Sequence, residues 1–312
     1  MNSLTVQETS NQLVGIDLSD AMRSWVRFIE GSQKTVETYT RAVRQFYKWA
    51  IENGITQPTK EDIRAYRDEL KATRKATTAQ SYLMALRQFF AWTEETGIYP
   101  NIARNVKGVK IDTTDHKRDE LTASQAKNLL ACIDRSTARG KRDYAIISLM
   151  LVTGMRTIEV ARANIEDLRT LGDFTALYYQ GKGKEDRAEF KKIPPQIESS
   201  IRDYLSTRES LDGADPLFIS TAHRNTGSRL TTRSISRIVK DRLREAGLDS
   251  PRLTAHSLRH TCATQNLLNG GSLEETQQLL NHSNITTTMI YSHHLNKAQR
   301  QAEQRIATAI FC

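Results

Sequence analysis

Residues 34–53 place Val36, Tyr39, Val43, Phe46, Tyr47 and Ala50 at helical spacing, with Arg41, Arg44 and Lys48 on the opposite face. A helix with that period buries one stripe, so the neighbouring chain has to supply helices to bury it against. It does. Residues 18–30 carry Met22, Trp25, Val26 and Ile29. Residues 60–72 turn Ile63, Tyr66 and Leu70 inward, and 77–95 set Tyr82, Leu83, Leu86, Phe89 and Phe90 on one side. Gly54 closes the helix over 34–53. The pattern predicts a bundle of four or five helices over residues 17–108.

The period is lost over residues 109–119, a polar stretch that reads as a linker. Thr122, with Gln125 three residues on, then predicts a capped helix start. Residues 142–152 form a strongly apolar, buried helix. Strand-like runs at 174–180 and 187–193 flank the turn Gly181-Lys182-Gly183-Lys184-Glu185-Asp186. Further helices are expected at 195–209, 232–246, 255–269 and 273–280, in a short segment holding Tyr291, and at 295–310. The expected fold is mainly α, with a second, α-rich unit over 120–312 that contains one small β hairpin.

Lysine and arginine number 45 against 36 acidic residues, a formal charge of +9. That balance favours a polyanionic partner: DNA, RNA or an anionic membrane surface. The longest apolar run, 144–152, ends at Thr153-Gly154, well short of the ~20 residues that span a bilayer. Residues 1–15 lack the apolar stretch of a secretory signal. Cys132, Cys262 and Cys312 are odd in number and without metal-like spacing, as expected of reduced thiols in the cytoplasm.

Residues suited to handling phosphate stand far apart in the chain. Arg156 follows Thr153-Gly154-Met155, with Glu159 one helical turn on. His256 and Arg259 share a helix face, and His282 and Tyr291 come later. Singly, each has an ordinary reading as an ion pair, cap or solvated cluster. His256 and His260 stand four apart like zinc-protease histidines, but the glutamate is missing and Arg259 would repel a cation. Gly181-Lys182-Gly183-Lys184 lacks the spacing of a nucleotide-binding loop, and it turns between strands. His293-His294 has no carboxylate or cysteine at ligand spacing. No metal and no nucleotide cofactor is expected.

Taken together, these residues form a series. It runs Thr-Gly-Met-Arg-x-x-Glu at Arg156, Gly-Lys-Gly at Lys182, His-x-Leu-Arg-His-Thr from His256, Leu-Leu-Asn-His at His282 and Thr-Thr-x-x-Tyr at Tyr291. This series resembles the tyrosine recombinases of the phage-integrase family, most closely the compact Xer-type members. The resemblance covers nearly the whole chain, because the N-terminal bundle is similar to the family's SAM-like core-binding domain.

The resemblance implies that Tyr291 attacks the scissile phosphate, leaving a 3′-phosphotyrosyl bond and a free 5′-hydroxyl. Free tyrosine has a pKa of about 10, so a cationic pocket has to favour the phenolate and the phosphorane charge. It further implies that Arg156 and Arg259 bind the non-bridging oxygens and that His256 is the general acid/base. His282 bonds the phosphate and helps place Tyr291. Lys182 protonates the leaving 5′-oxygen, with Lys184 on the same turn as the alternative. Glu159 orients Arg156 or a histidine, and Asn281 stands where the family usually has glycine. The implied partner is double-stranded DNA with paired sites, bound by a homo-tetramer that exchanges its last helix (Ile306, Ala309, Ile310, Phe311) between protomers. A paralogue or accessory proteins could join it. DNA contacts are expected from Arg41, Arg44, Lys48, Lys184, Arg233, Arg237 and Lys240, in a cytoplasmic, nucleoid-associated protein. The role implied is mobile-element integration and excision, or dimer resolution. A type IB topoisomerase and a catalytically silent DNA-binding regulator are the competing readings.

Overall fold

The computed structural model describes residues 18–111, 119–181, 187–282, 284, 285, 288, 289, 291 and 302–311. The chain divides into two compact units between residues 113 and 114.

The first unit contains α1 (Leu18–Phe28), α2 (Gln33–Glu52), α3 (Lys60–Thr73) and α4 (Ala76–Glu95), four helices among the described residues. Ser32 opens α2 by accepting the Thr35 N–H at 3.3 Å. The Asp62 carboxylate fixes the start of α3 by accepting the Thr59 N–H at 2.7 Å. Both contacts satisfy end groups that a helix cannot pair internally. The buried stripes meet through aromatic rings packed edge to face. Trp25 lies against Phe89 at 5.1 Å and 86°, and Phe46 against Phe90 at 5.9 Å and 85°. Their ring quadrupoles favour that arrangement. Arg41, Arg44 and Lys48 are exposed on the outer face of α2.

In the second unit, Thr122 and Gln125 form the reciprocal cap that their spacing predicts, at 3.1 and 2.9 Å, ahead of α5 (Ala123–Ala131). The central helix is α6 (Ala138–Thr153), with Ala145, Ile146, Ile147, Leu149 and Met150 all buried. It starts four residues before the predicted position because Thr137 caps it, accepting the Gly140 N–H at 3.0 Å. The short α7 (Thr157–Arg162) follows. A three-stranded antiparallel sheet comes next: β1 (Leu168–Leu171), β2 (Phe174–Tyr179) and β3 (Glu189–Ile193). Leu168 pairs with Leu177, and Thr175 with Ile193. The two predicted strands are therefore β2 and β3, and β1 adds a third strand on the other side of β2. The chain continues through α8 (Pro195–Leu205), α9 (Thr232–Glu245), α10 (Ala255–Leu268), α11 (Leu273–Leu280) and α12 (Ala302–Phe311).

One charged cluster lies inside this core. Asp143, 1% exposed, accepts from Arg142 at 2.7 Å and from Arg242 at 2.6 Å, joining α6 to α9. Arg142 also donates to the Ile219 carbonyl at 3.0 Å. Cys132 and Cys262 are free thiols, the first exposed and the second buried.

Candidate active site

The site is built around two helix ends. Helix α6 stops at Gly154, which takes the left-handed conformation at φ 62°. A Cβ there would be strained by the left-handed φ and would lie 2.6 Å from Leu280 Cδ2, so the turn favours glycine. The turn delivers Arg156 to the start of α7. Its backbone N–H donates to Glu159 Oε2 at 2.7 Å and its guanidinium to Oε1 at 2.8 Å. Buried Glu159 thus fixes both the backbone and the charge of Arg156.

Helix α10 carries His256, Arg259 and His260 on one face. Arg259 is 2% exposed; it donates to the Gly154 carbonyl at 2.5 Å and to the Leu280 carbonyl. The end of α11 receives two further cations. Lys191 of β3 donates to the Leu279 carbonyl, and Arg156 reaches the Asn281 carbonyl at 3.5 Å. Three cations from separate segments therefore hold three successive carbonyls at the negative end of one helix, where the backbone leaves acceptors unpaired.

Asn281 caps α11 in the left-handed region, at φ 49° and ψ 55°. Asparagine is the common substitute for glycine there. Its side-chain amide bonds Glu189, and Tyr179 Oη at 3.4 Å. His282 comes next, with Nδ1 2.9 Å from the hydroxyl of fully buried Thr288. Tyr291, 5% exposed, packs on Ala263 and Leu280 and sets its Oη 2.6 Å from His260 Nδ1. His256 is exposed on a cleft of about 720 Å³ shared with Arg156, Arg259, Ser236 and Thr254.

The electrostatics fit a site for an anion. Burial, then the Arg156 charge, lowers Arg259 to about 10. Burial lowers Lys191 to about 8. Burial pulls His282 down to about 4, with Arg259, Arg156, His256 and Lys191 adding to it. Burial pushes Tyr291 up to about 12, against the pull of Arg259 and Arg156. An anion bound among these groups would favour the charged form of each cation.

Six of the residues singled out in the sequence thus belong to one unit of the fold: Arg156, Glu159, His256, Arg259, His282 and Tyr291. Lys182 and Lys184 lie outside the described residues, as do His293, His294 and Cys312. Arg233 and Arg237 are exposed on α9. Lys240 is instead engaged within the unit, donating to the Ser250 carbonyl at 2.6 Å and pairing with Asp249 at 2.8 Å. Two residues of the site were not assigned a role from sequence. Lys191 occupies an inward position of β3, where a lysine is rarely buried without a partner. His260 was weighed only as a zinc ligand. Its ring meets that of His256 edge-on, at 4.7 Å and 75°. Among the described residues no group of His, Cys, Asp or Glu could hold a metal, and no helix is long and apolar enough to cross a membrane.

Comparison with known proteins matches residues 119–298 to the phage integrase family and residues 27–97 to the phage integrase N-terminal SAM-like domain. Tyrosine recombinase XerC of Thermodesulfovibrio yellowstonii is 32% identical over 273 residues, which are 84% of this chain and 86% of that protein. XerC of Caldanaerobacter subterraneus is 34% identical over 185 residues, 58% of this chain but only about half (49%) of that protein. Two solved structures share the fold. The XerH recombinase bound to a palindromic difH substrate, a post-cleavage complex, has a TM-score of 0.70 at 20% identity, covering 99% of this chain and 89% of that one. A lambda integrase tetramer bound to a Holliday junction has a TM-score of 0.67 at 18% identity, covering 93% and 81%.

Proposed function

This chain belongs to the phage integrase family and is a tyrosine site-specific recombinase, and on that premise we propose that Tyr291 is the residue that cuts the DNA strand. Its phenol oxygen attacks phosphorus, the bond to the 5′-oxygen breaks, and the strand is held through a 3′-phosphotyrosyl link. Arg156 and Arg259 take the non-bridging oxygens. Glu159 orients the first of them, and the carbonyls of Gly154 and Leu280 fix the plane of the second. A guanidinium has five N–H donors, so one held on two carbonyls keeps others for a phosphate. His256, on the cleft, serves as general acid/base. His282, kept uncharged by its surroundings, donates or accepts one hydrogen bond to the phosphate. Lys182 protonates the leaving 5′-oxygen, and Lys184, two residues on in the sequence, is the alternative. The observation that supports this reading is that Arg259 and Arg156 bond the carbonyls of Leu280 and Asn281 while the buried Tyr291 packs on Leu280.

The DNA would carry paired sites. The lambda integrase neighbour is a tetramer on a Holliday junction, and the XerH neighbour is bound to its difH substrate. By analogy this chain works as a homo-tetramer on the DNA of the nucleoid, with α12 docking on the next protomer. A paralogue or accessory proteins could join that assembly. Arg41, Arg44 and Lys48 of the first unit and Arg233 and Arg237 of the second supply phosphate contacts. Lys240, tied to Asp249, contributes less. The role is integration and excision of a mobile element, or dimer resolution.

A nicked suicide duplex tests the nucleophile. The wild type should trap an SDS-resistant protein–DNA adduct and Tyr291→Phe should trap none; equal trapping by both removes Tyr291 from the role.

A further inference from the structure

We propose that His260 is the base that takes the proton from Tyr291 as it attacks and returns it when the strand is rejoined, an inference that rests on Tyr291 being the nucleophile. His260 Nδ1 lies 2.6 Å from Tyr291 Oη, within the reach that proton transfer between heavy atoms requires. The ring centroids are 5.4 Å apart, and both residues are held from behind, one by α10 and the other by Ala263 and Leu280.

Four other described groups that act on the phenol or lie beside its histidine do not suit this task, and a fifth faces elsewhere. Arg259 and Arg156 stabilise a phenolate but have no lone pair with which to accept a proton. Burial pushes the Cys262 thiol up to about 11, so at neutral pH it carries its own proton. Glu120, from the segment ahead of α5, opposes phenolate formation by its charge. Bulk water has little access to a tyrosine that is 5% exposed. His256 packs edge-on against His260 and faces the cleft. The two imidazoles therefore divide the work, His256 on the phosphate side and His260 on the tyrosine side.

The step balances. The proton on Oη passes to Nδ1 of a His260 whose own proton is on Nε2, and an oxygen electron pair forms the P–Oη bond. The P–O5′ bond breaks with its pair, and the 5′-oxygen takes a proton from a separate acid. In rejoining, the 5′-hydroxyl gives its proton to the conjugate base of that acid and attacks phosphorus. The P–Oη bond then breaks, and the His260 imidazolium protonates Oη.

The test is single-turnover cleavage of a nicked suicide duplex by the full chain, followed across pH. His260→Asn keeps an amide near the Nδ1 position but cannot take a proton. It should bind DNA as the wild type does and cleave ~10²-fold more slowly near neutrality. The gap should narrow in alkali, where hydroxide can deprotonate the phenol. The defect should persist on a 5′-bridging phosphorothioate duplex, whose sulfur leaves without needing an acid. A wild-type rate and pH profile in His260→Asn, or full relief by the phosphorothioate, overturns the proposal. A variant too unstable to assay leaves a test on the wild type: cleavage of the phosphorothioate duplex should still slow in D2O, and the absence of that effect overturns it too. Tyr291→Phe runs alongside; an adduct there, mapped to another residue, refutes the nucleophile assignment itself and not only the choice of base.

Discussion

Lys191 and His282 show how single side chains in this site are held in unfavourable electrostatic states. Lys191 donates to the Leu279 carbonyl from a buried strand position, and that burial lowers its pKa to about 8. Replacing it by methionine removes a costly buried charge but leaves the carbonyl unpaired, two effects that offset each other. Lys191→Met should therefore change stability by only about 1 kcal/mol in chemical denaturation. Cleavage should fall far more, by up to ~10²-fold, because the α11 end that delivers His282 is no longer fixed. Equal cleavage by Lys191→Met and wild type would show that the contact is dispensable. His282 has a folded pKa near 4, below the ordinary 6.5. The unfolded chain therefore binds the proton first as pH falls. The stability contributed by neutral His282 is complete above the unfolded value and is lost between about 6.5 and 4. Urea midpoints measured over that window should decline less steeply for His282→Gln than for the wild type. Parallel curves would exclude His282 as a source of acid sensitivity.

At the scale of elements, two left-handed helix ends meet, and Arg259 bonds a carbonyl at each. Gly154 ends α6 and Asn281 ends α11, with Leu280 filling the space a Cβ on Gly154 would need. Gly154→Ala should cost roughly 2–4 kcal/mol, the backbone penalty of about 1–2 kcal/mol plus overpacking against Leu280. Gly172 is also left-handed, at φ 54°, but has nothing within 4 Å of a Cβ. Gly172→Ala should lose only the backbone part, so the difference between the two melting curves isolates the packing. Matching losses would mean Leu280 moves aside. This junction also marks how far the sequence could be read. The long helices α2, α4 and α10 repeat their stripe over several turns and were legible in outline. The six-residue α7 and the four-residue β1 are too short to show a period. Arg156, His256, Arg259, His282 and Tyr291 were legible because chemically distinctive residues recur in a fixed order. Lys191 was not, because a lysine in a strand reads as a solvated face until its burial is seen. His260 was read by its spacing to His256, whereas its role depends on Tyr291, 31 positions away.

At the scale of the whole molecule, α12 carries the most exposed large apolar residues among those described. Ile306, Ile310 and Phe311 are 58%, 67% and 84% exposed, and 306 and 310 stand one turn apart. Burying one such side chain is worth about 1.5–3 kcal/mol before the cost of ordering is counted. Docking of this helix on a neighbouring protomer could therefore couple two DNA-bound copies by tenfold or more, the effect of about 1.4 kcal/mol. Deletion of residues 297–312 should lower the cooperativity of binding to a two-site duplex by at least that factor, as read from gel-shift titrations. Binding to a single site should stay near the wild-type value, because the phosphate contacts proposed for it are on α2 and α9. The double variant Ile310→Ser, Phe311→Ser separates the apolar tip from the rest of the segment and should reproduce most of the loss. Cooperativity unchanged in both variants would show that α12 does not join protomers. A parallel loss of single-site binding would show that the helix instead supports its own unit.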